Sequence, residues 1–459
     1  MTRLFGTNGI REVVGERLTP DFVRRVVAAI AEVTPVGAPI AVGWDGRTSS
    51  PAFARLASAT LSLAGHRVVE LGLLPTPAIQ YSVTRVGAQL GLIITASHNP
   101  PEFNGVKCIG SDGLEVPREF EERIEAAVDA GAAPAVPFAQ VGEIVQDSMG
   151  GTRYIDGIVA QVDAARIAAR RFTVVVDCGN GASVPTSPAL LHRLGCRVVS
   201  VNAHVDGTFP GHLSEPVEAN VRETARIVPT VGADLGVIHD GDADRAVFVD
   251  REGRYLPPEH IFTLLARDAV ERHSGGVVVT PVSGSQAVED AISPLGGSVV
   301  YTRVGSPTVT REMKARHAVF GGEENGGSVF PEFQYARDGG MAAAAVLDLL
   351  ARTGASLSEL VGQVPRYTFV KEKIACPVDR REEVLMHVAR ALGRDGGRVV
   401  TIDGVKAFRT GGWILLRPSG TEPLFRVFAE SKDPARARAL ADEGLAAVRD
   451  ALGSRTAPS

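Results

Sequence analysis

Three aspartates stand at alternate positions in DGDADR, residues 240–245. Carboxylates held this close repel one another unless a cation joins them. Hard oxygen donors at this spacing suit Mg²⁺. If the segment stays extended after the apolar run LGVI, Asp240, Asp242 and Asp244 point to one side. An EF-hand loop does not fit, because its sixth and twelfth places hold Arg245 and Arg251 instead of Gly and Glu. A solvated acidic turn is the bland alternative.

The aspartyl-phosphate hydrolases also use a D-x-D turn, but on the first strand and followed by Thr or Val. Here the motif lies mid-chain with Asp244 in that place. A second stretch, GLIITASHNPPEFNGVK (91–107), breaks an apolar run with a serine and a histidine side by side. Serine hydrolases present their nucleophile as G-x-S-x-G, and Thr95 and Asn99 occupy the glycine places. Adjacent side chains are also expected to point apart, which leaves His98 poorly placed to deprotonate Ser97. A better reading has Ser97 carry a phosphoryl group whose oxygen completes the shell of a metal on the three aspartates. Lys107, ten residues on, would accept a proton where burial favours its neutral form. A plain polar turn is the alternative.

RPSGTEP (417–423) lies between the strand-like runs WILL and LFRVF. Arg417 offers a planar fork, Ser419 and Thr421 offer hydroxyls, Gly420 lets backbone N–H groups approach, and Arg426 returns on the next run. That is a phosphate cradle, or else a polar hairpin. In GGEENGG (321–327), Glu323 and Asn325 are able to accept from and donate to sugar hydroxyls. LFGTNGIRE (4–12) sets Arg11 in a glycine-containing turn, a further candidate for phosphate.

The elements that must position these residues recur three times. Each round has a short Val/Ile-rich strand, a polar turn, a helix, a second strand, and a third strand ending in a polar loop. The rounds open at PIAVGWDGRTSS (39–50), TVVVDCGNGAS (173–183) and GVVVTPVSGSQ (276–286). Their third strands end in the serine, aspartate and GEENGG loops. Such strands argue for parallel sheets covered by helices, with ligands beyond the carboxyl ends of the strands. The tail differs. KEKIACPV (371–378) and residues 398–431 read as antiparallel strands, and REEVLMHVARAL (381–392) and residues 434–452 as amphipathic helices. The expected architecture is α/β: three similar α/β domains with mixed, mostly parallel sheets, plus a C-terminal α+β domain, around a central cleft. The expected spans are 1–150, 151–250, 251–366 and 367–459.

Composition narrows the partners. The 459-residue chain is 44% hydrophobic and 22% charged, with net charge −5, so no global basic field holds nucleic acid or anionic lipid. No apolar run approaches the roughly 18 residues of a membrane span. MTRLFGTNGIRE lacks the apolar core of a signal peptide. Cys108, Cys178, Cys196 and Cys376 are scattered without a CxxC, which points to structural thiols in a reducing, cytoplasmic compartment.

FGTNGIR, TASHNPPEFNGVK, DGDADR, GGEENGG and RPSGTEP together resemble, in order and across the whole chain, the motifs of the α-D-phosphohexomutase family. The resemblance implies that Ser97 is a phosphoserine and that Asp240, Asp242 and Asp244, completed by Ser97, bind Mg²⁺. It implies that Glu323 and Asn325 hold the sugar, that Arg417, Ser419, Gly420 and Thr421 grip the non-reacting phosphate, and that His98, Lys107 and Arg245 assist transfer. The implied reaction moves a phosphoryl group between the 1- and 6-positions of glucose or mannose phosphate, through a hexose 1,6-bisphosphate that also serves as activator. Many members read G-E-x-S-G-H in the sugar loop, where this chain has Asn325 and Gly327. GEENGG is similar to the archaeal-type branch, which includes hexosamine phosphate mutases, so glucosamine phosphate is the alternative substrate. VGSPTV (304–309) is expected at the sugar too. The resemblance leaves monomer and homodimer both open. A non-catalytic sugar-phosphate sensor would be expected to lose Ser97 or an aspartate, and all are present. A phosphatase is the other rival, which product analysis separates.

Overall fold

The computed structural model describes residues 3–6, 8–393, 397–419 and 423–453. The chain has three mixed, mostly parallel α/β sheets and an antiparallel C-terminal sheet. It divides into two compact units. One comprises the chain up to Leu265 together with Gly305–Gly362, the other Ala266–Val304 together with the chain from Gln363 onward.

In the first unit, a six-stranded sheet runs in the order Ile10–Val13, Phe103–Gly110, Leu90–Ile94, Ile40–Trp44, Val68–Leu73, Ile144–Gln146. Ile40–Trp44 pairs parallel with both Leu90–Ile94 and Val68–Leu73, and the Phe103–Gly110 side is antiparallel. Ile40, Val42, Val68, Leu92 and Ile94 are buried with the helix Pro20–Val33. That helix starts where Thr19 accepts from Phe22 N and Pro20 supplies a preset first turn. Its Val23, Val26, Val27 and Ile30 fall at helical spacing and form the buried stripe.

A second sheet repeats the plan. Thr173–Asp177 lies between Leu235–His239 and Arg197–Val201, parallel to both, and Ala246–Asp250 returns antiparallel beside Leu235–His239. The same 3-1-2 placement of a round's strands thus occurs twice, and it brings the third strand, with its polar loop, to the middle of each sheet. Three further strands of this unit, Phe320–Glu323, Gly327–Phe330 and Gln334–Arg337, pair antiparallel. The helix Gly339–Thr353 follows at once, because Asp338 caps it by accepting from Met341 N.

In the second unit, Gly276–Pro281 pairs parallel with Gly297–Thr302. The C-terminal sheet runs Thr368–Ala375, Leu424–Ser431, Gly412–Pro418, Val405–Arg409, Val399–Val400. Helices Arg381–Gly393 and Pro434–Gly453 bury Val384, Val388, Leu440 and Val448 against Ile414, Leu416, Phe425 and Val427. Among the described residues, no helix is long and apolar enough to cross a membrane. All four cysteines are free and buried.

Candidate active site

The serine loop leaves the buried strand Leu90–Ile94 and turns sharply at Ser97, whose φ is +51°. A non-glycine residue holds that left-handed conformation only where its surroundings enforce it. Here they do. Ser97 N donates to Thr95 Oγ1 at 2.8 Å, and Ser97 O accepts from Arg47 Nη2 at 2.7 Å. Arg47 also serves Asn99 O at 2.6 Å, Pro100 O at 2.6 Å and Phe103 O at 2.8 Å. Its Nε donates to Asp45 Oδ2 at 3.1 Å, and both residues are buried. One guanidinium therefore ties down the loop from Ser97 to Phe103. Ser214 Oγ adds bonds to His98 O and Asn99 O, each 2.8 Å.

DGDADR does not run extended, as its alternation suggested. It is a tight turn after Leu235–His239, with Ala243 at φ +56°. The turn, rather than strand alternation, gathers the three buried carboxylates so that one oxygen from each lies within 4.8 Å of the others. Gly241 permits this contact between loops, because a Cβ there would lie 2.7 Å from Ser97 O.

Ser97 Oγ donates to Asp240 Oδ2 at 3.3 Å. Asp240 Oδ1 accepts from Arg245 N at 3.2 Å. Asp242 Oδ2 takes Thr76 Oγ1 at 2.7 Å and Lys107 Nζ at 3.4 Å, and Lys107 lies 3.9 Å from Asp244 Oδ2. Burial, then Asp244 and Asp242, push the Asp240 carboxyl well above its usual range. Burial also pushes Asp242 up, but Lys107, Thr76 and Arg11 outweigh it and hold that group low. Asp242 Oδ1 and Asp244 Oδ1 are buried and have no hydrogen-bond partner among the described residues. Orphaned carboxylate oxygens facing a cluster of like charge are what a small divalent cation satisfies, so the residues fit Mg²⁺.

His98 departs from the expectation that it points away from Ser97, since Nδ1 lies 3.4 Å from Ser97 Oγ. The left-handed turn at Ser97 swings the two side chains together. It still makes a poor base for Ser97, because Arg245 Nη2 donates to the same Nδ1 at 2.9 Å. Burial, then Arg245 and Arg11, lower this imidazole to about 2, so it stays neutral. Arg11 Nη1 donates to Asn99 Oδ1 at 3.0 Å, which brings the N-terminal arginine to the serine loop.

Glu323 ends the strand Phe320–Glu323. Its Oε1 accepts from Gly305 N at 3.2 Å, which joins the VGSPTV segment to the sugar loop, and its Oε2 accepts from Arg337 Nη1 at 2.6 Å. Asn325 is exposed in the turn. In the second unit, Arg417 and Arg426 face one another in the strand register, and Arg417 Nε donates to Asp403 Oδ2 at 2.9 Å. Ser419 N donates to Leu424 O at 2.9 Å. Gly420 and Thr421 lie outside the described residues.

The sequence reading missed Arg47, Asp45, Thr76 and Arg337. A D-G-R at the carboxyl end of a parallel strand (45–47) was a usable signal for the first two. Arg337 donates to Asp244 and Glu323 together and has no spacing partner in sequence.

A buried carboxylate cluster able to hold a divalent cation, met by a serine hydroxyl at the end of a buried strand, is carried here on repeated mixed α/β sheets. Family models match in four segments: phosphoglucomutase/phosphomannomutase alpha/beta/alpha domain I over residues 2–134, domain II over 152–253, domain III over 257–367, and the C-terminal domain over 374–447. The chain is 37% identical to a phosphoglucomutase/phosphomannomutase of Thermococcus kodakarensis, over 98% of this chain and 100% of the relative. It is 38% identical to a probable phosphoglucosamine mutase of Methanopyrus kandleri, over 98% of each. A solved phosphoglucomutase/phosphomannomutase family protein of Burkholderia thailandensis superposes with a TM-score of 0.86 at 25% identity, covering 100% of this chain and 99% of that one. The chain belongs to the phosphoglucomutase/phosphomannomutase family and is an α-D-phosphohexomutase.

Proposed function

We propose that the chain interconverts the 1- and 6-phosphates of glucose and mannose through a phosphorylated Ser97. The observation that carries this is the meeting of Ser97 Oγ with Asp240 at 3.3 Å, beside two buried carboxylate oxygens that accept no hydrogen bond from the described residues. Asp240, Asp242 and Asp244, with a phosphoryl oxygen on Ser97, would hold Mg²⁺. Bound there, the ion supplies neutralisation of the transferring phosphoryl group.

The chain's own residues do the rest. Phosphoserine 97 gives its phosphoryl group to the free hydroxyl of a hexose phosphate. The P–Oγ bond breaks and a P–O bond to the sugar forms; Lys107 gives a proton to the departing Ser97 Oγ and takes one from the sugar hydroxyl, so it ends the step as the ammonium beside Asp242. The resulting hexose 1,6-bisphosphate turns over and returns its other phosphate to Ser97. Phosphoryl transfer asks for positioning and charge compensation more than for covalent chemistry. Arg245 and Arg11 compensate charge, and His98, held neutral against Arg245, orients that guanidinium. Burial of Ser97 keeps water from the phosphoserine. Glu323 and Asn325 hold the sugar, and Arg417, Ser419, Gly420, Thr421 and Arg426 grip the phosphate that is not being transferred. The chain then works as four parts, 1–150, 151–250, 251–366 and 367–459, in a reducing cytoplasmic compartment that suits its four free thiols.

Glucosamine phosphate is the second reading, favoured by the likeness to a probable phosphoglucosamine mutase. The test is kcat/KM for glucose, mannose and glucosamine 1-phosphates with a trace of hexose 1,6-bisphosphate. Mass spectrometry should find phosphate on the Ser97 peptide. Tenfold preference for the amino sugar would install the second reading. Full mutase activity in Ser97→Ala would end both.

A further inference from the structure

We infer that Arg337 is a positioning residue that sets sugar preference, by neutralising Glu323 and so disfavouring an ammonium at C2. The inference rests on the mutase reading and on Glu323 facing the sugar.

Arg337 ends the strand Gln334–Arg337, immediately before Asp338 caps the next helix, so its backbone is held on both sides. Its side chain is buried. Nη1 donates to Glu323 Oε2 at 2.6 Å, and Nη2 donates to Asp244 Oδ2. The planar fork thereby spans the sugar loop and the metal loop, which a point charge on a flexible stem does not do. Room for it comes from Gly327, where any Cβ would collide with the Arg337 side chain.

Two consequences follow for a sugar at Glu323. The carboxylate is pinned, since Gly305 N holds its other oxygen, so it presents a fixed acceptor to a hydroxyl. Its charge is already countered in part by the guanidinium it shares with Asp244, so a sugar ammonium gains less from Glu323 than from a lone carboxylate and meets the guanidinium at short range in a buried site. A hydroxyl feels only the first effect. An ammonium feels both, and like charges in such surroundings repel strongly.

The test compares kcat/KM for glucose 1-phosphate and glucosamine 1-phosphate in wild type, Arg337→Gln and Arg337→Lys. Arg337→Gln should shift the ratio toward the amino sugar by about tenfold, while Arg337→Lys, which keeps the charge, should hold it within about threefold of wild type. Arg337→Lys should still lose kcat for both sugars, because it does not bridge the loops. Glu323→Gln gives an independent arm that leaves Arg337 in place: it should move the ratio the opposite way, away from the amino sugar. A purely structural arginine would lower both substrates equally, and an unchanged ratio in Arg337→Gln and Glu323→Gln overturns the inference. If wild type turns over neither sugar with bisphosphate present, the mutase reading fails first and takes this inference with it.

Discussion

Arg47 is the residue whose loss should most clearly separate positioning from binding. It lies under the serine loop with its side chain wholly buried, and it donates to four backbone carbonyls of residues 97–103. Arg47→Lys keeps the charge opposite Asp45 but removes the fork. A lysine donates from one atom, and since Asn99 O keeps Ser214 Oγ and Pro100 O keeps Phe103 N, Ser97 O and Phe103 O are the two carbonyls that stand to lose their partner. A buried acceptor left unmade costs about 1–3 kcal/mol, so the loop is destabilised by about 2–6 kcal/mol in its present shape. It relaxes by moving, and a shift on the order of 1 Å at a reacting group lowers rate about a hundredfold. The expected result is kcat down about a hundredfold with KM changed less than about threefold, because Arg47 is covered by the loop and meets no substrate. The assay is steady-state mutase kinetics beside a control, Arg24→Lys, whose ion pair with Asp21 is exposed on the first helix. Wild-type kcat in a folded Arg47→Lys protein would show that the loop keeps its geometry without the clamp and that Arg47 does not hold Ser97 in its left-handed turn.

Two other outcomes are expected. Calorimetry should find one Mg²⁺ site per chain, and Asp242→Asn should weaken it at least about tenfold, since one ligand charge is gone and Lys107 loses its nearer carboxylate; undiminished binding would move the metal elsewhere. His212 Nε2 lies 3.4 Å from Asp177, and although burial opposes the charged imidazole, that carboxylate raises its pKa in the fold. The raised group stabilises fully below the unfolded value of about 6.5, and the contribution is lost as pH rises through the folded value. Urea midpoints at pH 6 and 8.5 should therefore fall more steeply in wild type than in Asp177→Asn, and equal slopes would refute the pairing.

How much of this was legible beforehand depended on the range over which each feature is encoded. The aspartates and the serine announced themselves because their chemistry sits within six or seven consecutive letters. The grouping of the aspartates was right although the reason was not: alternation suggested a strand, while the structure uses a turn closed by Ala243 at φ +56°. The strands of all three rounds were visible as Val/Ile runs. Ile10–Val13 and Ile144–Gln146 were not, because each is only three or four residues long and joins the sheet only through a neighbour it meets after folding. Arg337 was invisible for the same reason, and for Arg47 the D-G-R signal marks its place but not the carbonyls it serves. A lone arginine has no periodicity, and the loops that Arg47 and Arg337 tie down include groups 50 and 93 residues away.

Those distant pairings also explain why so much charge is buried here without disrupting the fold. Paired buried ions contribute little net stability on average, but removing one partner is costly. Asp244 is held by Arg337, Asp242 by Lys107 and Thr76, Asp240 by Ser97 and Arg245. Each pairing connects a carboxylate of one loop to a side chain or backbone group that orders this turn or another. The cluster thus acts as a set of mutual constraints: the serine, aspartate and glutamate loops each take their shape only when the others are in place. Their geometry should therefore fail together rather than singly, and double substitutions such as Arg47→Lys with Arg337→Lys should cost less than the sum of their separate effects on kcat.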